Sequence, residues 1–116
     1  MEERKVDNEI TSTKQKINEI DYKIDNEKEK IKKLDDIQES MTALNKSLNR
    51  CIELLSLSLK GPTSQNMFED MQAQNKAIYQ NVTSELDDEM DKTRSTINKL
   101  YEEKDNIIKE DKNKKE

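Results

Sequence analysis

The side chains best suited to chemistry in this sequence are a run of carboxylates in its second half and one cysteine. The carboxylates are Glu85, Asp87, Asp88, Glu89 and Asp91. Such groups can bind a hard cation, but a calcium loop needs a turn-forming Gly and alternating ligands, and this run has neither. On a helix these side chains point in several directions. We therefore interpret the cluster as a solvated acidic face and predict no metal site and no cofactor.

Nucleophilic catalysis is also poorly supported. Cys51 is the only cysteine and the chain has no His, so the commonest general base is missing and no internal disulfide can form. No spacing places a nucleophile, a base and a stabilising group together. The sequence therefore predicts a protein that is not an enzyme. Cys51 is expected to act as a small hydrophobic side chain on an apolar stripe.

The composition favours long helices over a compact globule. Of 116 residues, 30% are hydrophobic and 41% are charged, with one Gly and one Pro. A many-stranded sheet needs more turn residues, and an ordinary core needs more apolar ones. The net charge of −5 argues against nucleic acid as a partner. Because no apolar run approaches the length of a membrane span, we expect no membrane insertion, and either cytoplasmic localisation or export without a cleaved signal peptide.

Apolar residues in the first half recur with heptad spacing. Ile10, Ile17, Ile24 and Ile31 share one heptad position. After Leu34 a second apolar series begins, which we interpret as a phase slip in the stripe. Its members are Ile37, Met41, Leu44, Leu48, Cys51 and Leu55. One helix should continue through the slip, because neither Gly nor Pro occurs between residues 2 and 60.

A single strong break divides the chain. Gly61 is expected to cap the first helix in the left-handed conformation, Pro62 prevents its continuation, and Thr63 or Ser64 can cap a second helix. We predict a first helix over about residues 3–60, a turn at 61–63, a second helix over about 64–110 and a polar tail at 111–116 that frays. The predicted fold is all-α, a single domain formed by a long antiparallel helical hairpin that resembles a coiled coil.

The predicted register follows from equal rise in the two helices. It places Met41 opposite Val82 and Asn45 opposite Ile78. Both stripes change phase at this level, which favours two arms that pack on one another. Asn45 then either sets the register of the pair or lies at the edge of the stripe.

Apolar residues are concentrated near the turn. Only five of residues 37 to 60 are charged, against twenty of residues 1 to 36. The leucines here point in several helical directions, so one antiparallel arm cannot cover them all, and each further buried leucine contributes about 1.5–3 kcal/mol. We predict that a second chain completes a four-helix bundle. The predicted partner interface consists of Leu44, Leu48, Ile52, Leu55, Leu59, Met67, Phe68 and Met71.

Two short motifs accompany this architecture. Leu59 and Gly61 flank Lys60 at the turn, and Tyr101 precedes Asp105 by one helical turn. The arrangement resembles the WXG100 superfamily, the small helical proteins of Gram-positive type VII secretion, and its relatives associated with LXG toxins. There a Trp-x-Gly turn precedes a Tyr-x-x-x-Asp/Glu export motif. Here Leu59 stands at the Trp position, so the Trp is missing, as in toxin-partner proteins.

The resemblance implies a helper that binds the N-terminal helical domain of an exported toxin and presents it for export through type VII secretion. Tyr101 and Asp105 would then be the export motif, although Tyr101 also fits a packing role beside Leu100. The alternative function is a self-associating coiled coil, such as a homodimeric spacer or scaffold protein. A prefoldin-type chaperone is disfavoured, because residues 60 to 64 are too few to form β-hairpins between the arms.

Overall fold

The computed structural model describes the backbone of residues 2–115 and the side chains of residues 12–113. Two α-helices, α1 (Glu2–Ser58) and α2 (Pro62–Lys115), form an antiparallel hairpin, and these residues contain no strand. The predicted all-α hairpin is confirmed. The helices are 57 and 54 residues long, because neither contains an internal Gly or Pro that would interrupt the backbone hydrogen bonds. Within the described residues, neither helix has a segment long and apolar enough to cross a membrane.

The turn between the helices differs from the prediction. α1 ends at Ser58, before the expected residue 60, and α2 begins at Pro62, before the expected residue 64. Proline suits the first helical position, because the N–H there has no intrahelical acceptor. Gly61 does not adopt the left-handed conformation. Its carbonyl accepts the N–H of Gln65 at 2.9 Å, so Gly61 caps the start of α2. The capping roles predicted for residues 61, 63 and 64 are therefore wrong.

The chain divides into two compact units. The first consists of residues up to Lys32 and residues from Asp91 onward. Ile20 and Ile24 of α1 and Ile97 of α2 are buried in it, as heptad spacing predicts for residues that face the other helix. The side chain of Ile10, which begins the predicted series, lies outside the described residues.

Polar contacts join the helices of this first unit. Lys104 Nζ donates to Asp21 Oδ1 at 2.8 Å, and Thr13 Oγ1 donates to Asp111 Oδ1 at 3.5 Å. Asp111 is half-buried, and α2 continues to Lys115. Helix α2 thus extends beyond the predicted end at about residue 110, and fraying of the predicted polar tail stays a prediction.

The second unit is Lys33–Met90 and contains the turn. Ile52 and Phe68 are buried close to the turn, and Leu86 and Met90 are buried at the other end of the unit. Between these two apolar pairs, polar side chains of both helices meet in the same stretch as the half-buried Met41 and Val82, and they form part of the site described next.

Candidate partner-binding site

Helix α1 keeps its original heptad frame beyond the predicted phase slip. Gln38 and Asn45 are half-buried and Ile52 is buried, and these residues continue in steps of seven from Ile24 and Ile31. The apolar series does change phase, but the face of α1 that contacts α2 does not. As a result, polar residues occupy the contact in this part of the hairpin.

Hydrogen bonds between side chains join the two helices at this polar contact. Asn75 Nδ2 donates to Asn45 Oδ1 at 3.2 Å and to Asn49 Oδ1 at 3.1 Å. One turn further from the loop, the hydroxyls of Thr42 and Tyr79 are 3.1 Å apart. Asn45 therefore contacts α2 about one helical turn from Ile78, its predicted neighbour, and it bonds across the pair as a register-setting residue does.

The second apolar series lies on the exposed side of the polar contact. Ile37, Leu44, Leu48 and Leu55 are exposed, each by more than two fifths. Each of these four residues stands one position before a polar residue, so its side chain is rotated by about 100° around the helix from that residue. The polar residues are Gln38, Asn45, Asn49 and Ser56. In the single chain Gln38 and Asn45 are thus half-buried at the helix contact, whereas the neighbouring apolar residues are exposed.

The exposed stripes of both helices line one groove of about 260 Å³. Helix α1 contributes Leu48, Cys51, Ile52 and Leu55, and helix α2 contributes Met71, Gln74, Asn75 and Ile78. We call this the apolar groove. Within each helix the lining residues are separated by three or four positions, which is the spacing with which a helix presents one face to another helix.

The opposite side of the second unit has a different character. A second groove there is lined by Asn45, Asn49, Glu53, Gln72, Lys76 and Tyr79. Polar groups of this kind remain hydrated at little cost, whereas apolar side chains gain free energy when they leave water. The two faces of this unit therefore differ in polarity.

Six of the eight predicted interface residues are exposed in the single chain. Leu44, Leu48, Leu55, Leu59, Met67 and Met71 are between 40% and 53% exposed. Ile52 and Phe68 are each only 4% exposed. Both residues pack in the hairpin near the turn, and Ile52 also lines the groove. Their place in a partner interface stays a prediction.

Sequence reasoning missed the polar members of this site. Asn49, Asn75 and Tyr79 form the hydrogen bonds described above, and Ile78 lines the apolar groove. The seven-residue spacing that continues through Gln38 and Asn45 identifies the contact face of α1, but it includes neither Asn49 nor any residue of α2.

Cys51 is exposed and lines the apolar groove. Its predicted position on an apolar stripe places it where a docked partner would cover it. As the only cysteine of the chain, it gives a chemical probe of that surface.

Tyr101 and Asp105, the candidate export motif, are both exposed on α2 in the first unit. The ring of Tyr101 is 41% exposed, and Lys28 Nζ of α1 lies 5.6 Å from its centroid. A hydrogen bond with Tyr101 raises the pKa of Lys28 above 10.5. Tyr101 therefore makes a contact across the helix pair and remains accessible, so that packing and recognition are compatible for this side chain.

The acidic cluster on α2 has exposed side chains at Glu85, Asp87, Asp88, Glu89 and Asp91. Asp91 lies 3.6 Å from Arg94 of the next turn. Across the residues whose side chains are described, no group of three or more His, Cys, Asp or Glu residues is placed to hold a metal ion.

No family model matches this chain, and no curated protein or solved structure matches it significantly.

Proposed function

We propose that this chain is a non-enzymatic binding protein that docks a helix of another protein in the apolar groove. The observation that carries the proposal is the exposed apolar stripe of the second unit, which lies beside a stretch of the helix contact that contains Asn45 and Asn75. An unpaired stripe of this kind is unusual for a chain that acts alone. A docked helix would bury Leu48, Leu55 and Met71 and complete a bundle.

The proposed partner is the helical N-terminal domain of a protein exported by type VII secretion. Support comes from the hairpin itself, from the turn at Leu59 and Gly61, and from the accessible pair Tyr101 and Asp105. Charge also favours a different chain over a second copy, because two copies would each carry a net charge of −5 and repel one another. The chain would act as a helper that presents its partner for export.

The test is co-expression of this chain with each neighbouring gene product that has a helical N-terminal domain, followed by size-exclusion chromatography with light scattering. We expect a complex of one copy of each chain. Alkylation of Cys51 by a maleimide should be at least about tenfold slower in that complex than in the free chain, because the partner covers the groove.

Two results would count against the proposal. A lone chain that is a stable homodimer with Cys51 already protected would favour the self-associating coiled coil instead. A monodisperse monomer that melts cooperatively and forms no complex would refute the need for any companion chain.

A further inference from the structure

The wall that α1 contributes to the apolar groove continues away from the turn. Leu44 and Ile37 lie seven and fourteen residues before Cys51, which lines the groove. Residues at this spacing lie on one face of a helix. Leu44 is 53% exposed and Ile37 is 47% exposed. This row of α1 therefore stays apolar and uncharged for about 20 Å beyond Cys51.

The wall that α2 contributes changes from apolar to acidic over the same length. Glu85 follows the groove residue Ile78 by seven positions, and Asp88 follows the groove residue Gln74 by fourteen. Both carboxylates are exposed. Neither pairs with a Lys or Arg in the part of the chain whose side chains are described. Two carboxylates without a counter-charge thus extend the groove side of α2 at the end far from the turn.

These two walls lie at the same level of the hairpin. The hydroxyls of Thr42 and Tyr79 are 3.1 Å apart, so these residues mark one level of the antiparallel pair. Five residues farther from the turn, α1 reaches Ile37 and α2 reaches Ser84, the neighbour of Glu85. An apolar wall and an acidic wall therefore border the same stretch of the groove.

A helix docked along the groove would meet both walls in this stretch. A lysine or an arginine suits them together, because its aliphatic stem packs on apolar surface while its cationic end stays hydrated beside the carboxylates. An acidic residue at the same place would be repelled. Exposed ion pairs of this kind add modestly to affinity and more to the choice of partner.

We infer that the helix docked in the apolar groove carries two basic residues one turn apart, at the end of its apolar stripe that faces Glu85 and Asp88. This inference rests on the proposed function, because it takes the groove as the docking site. The remainder of the stripe would be apolar and uncharged, since it faces Leu48, Leu55 and Met71. The partner is thus an amphipathic helix with a basic end, and the two carboxylates set its direction along the groove.

The test uses two amphipathic helical peptides, each about three heptads long, with the same leucine stripe. One carries two lysines one turn apart in its final heptad, and the other carries two glutamates there. Fluorescence anisotropy gives the Kd of each peptide for the full chain and for the double variant Glu85→Gln with Asp88→Asn. The ratio of the glutamate-peptide Kd to the lysine-peptide Kd should be about three- to tenfold larger for the unchanged chain. This excess should largely disappear at about 1 M salt, where the screening length is about 3 Å.

A matched double variant removes the same charge from the other side of α2. Glu69 and Asp87 each lie nine residues from Ile78, which turns their side chains to the side of the helix opposite that residue. Glu69→Gln with Asp87→Asn changes the net charge equally and should leave the Kd ratio of the unchanged chain unaltered. Circular dichroism should show unchanged helix content in both double variants, because each amide replaces an exposed carboxylate of nearly the same shape.

The outcomes distinguish this inference from the proposed function. If neither peptide binds or slows the alkylation of Cys51, the groove is not a docking site and both ideas are refuted. If both peptides protect Cys51 but the Kd ratio is the same with and without Glu85 and Asp88, the docking site stands and the basic end is refuted. An equal loss of the ratio in the matched variant would assign the preference to net charge and would also overturn the inference. A homodimer in light scattering, with Cys51 protected before any peptide is added, would give the groove to a second copy and refute both ideas.

Discussion

The substitution Leu55→Asp gives the sharpest separation between hairpin stability and partner binding. Leu55 lines the apolar groove. Its side chain is 45% exposed in the single chain. Burial of a whole leucine side chain contributes about 1.5–3 kcal/mol, so burial of this remaining 45% by a partner would contribute about 0.7–1.4 kcal/mol to binding. An aspartate would also have to lose water against an apolar partner, which costs at least about 2 kcal/mol. The expected loss of about 3 kcal/mol lowers affinity by more than about 100-fold.

The matched control is Leu54→Asp. Leu54 is the neighbouring residue, is 56% exposed and does not line the apolar groove. Both variants introduce the same charge into the same turn of α1, so their effects on helix content should be similar. Only Leu55→Asp should abolish binding.

The assay measures binding to the co-expressed partner domain by size-exclusion chromatography and by the alkylation rate of Cys51, with circular dichroism as the measure of folding. In Leu55→Asp, added partner should leave Cys51 as reactive as in the free chain. If the complex forms normally with Leu55→Asp, or if Leu54→Asp weakens it equally, the groove is not the interface.

Three other predictions concern the hairpin contact, the ion pair and the export motif. Ile52→Ala should lower the free energy of unfolding by about 2–4 kcal/mol because Ile52 is buried, whereas Leu48→Ala should lower it by about 1 kcal/mol or less. Equal losses of unfolding free energy in urea would contradict the assignment of Ile52 to the hairpin. The hydrogen bond to Asp21 raises the pKa of Lys104 above 10.5. The stabilisation of the hairpin by this ion pair is therefore complete below that pH and is lost as the pH rises through the raised pKa. Lys104→Met should therefore flatten the alkaline fall of the urea midpoint, and an unchanged slope would show that the bond contributes nothing. Tyr101→Ala should leave the partner complex intact but reduce export in a secretion assay, and undiminished secretion would exclude Tyr101 from the signal.

Much of the architecture could be predicted from local patterns. The single Gly and Pro place the break between the helices, and the isoleucines of the first half predict the face of α1 that is buried at Ile20 and Ile24. These inferences succeed because helix propensity and breakers act over a few residues. The bounds near the turn were displaced by two residues, since Pro62 starts α2 instead of merely ending α1.

The candidate site could be predicted only in part. The apolar series through Leu44, Leu48 and Leu55 follows from the sequence, and the structure shows that these side chains are exposed in the single chain. Apolar periodicity does not identify Asn49 and Asn75, because a polar residue interrupts an apolar pattern even where it contacts the other helix. Their role depends on a neighbour in the other helix, about 30 residues away along the chain, as for Asn45 and Asn75.

The sequence alone thus determined that this chain forms two long helices joined near Gly61, because the choice between helix and turn is made by residues close to one another. The tertiary structure alone decided which stripe of α1 packs against α2. Two stripes of α1, one residue apart, could each make that contact. The alignment of the two helices brings Asn45 and Asn75 together and leaves Leu48 and Leu55 exposed to solvent. Burial depends on what lies opposite a side chain, and a local sequence pattern does not contain that information.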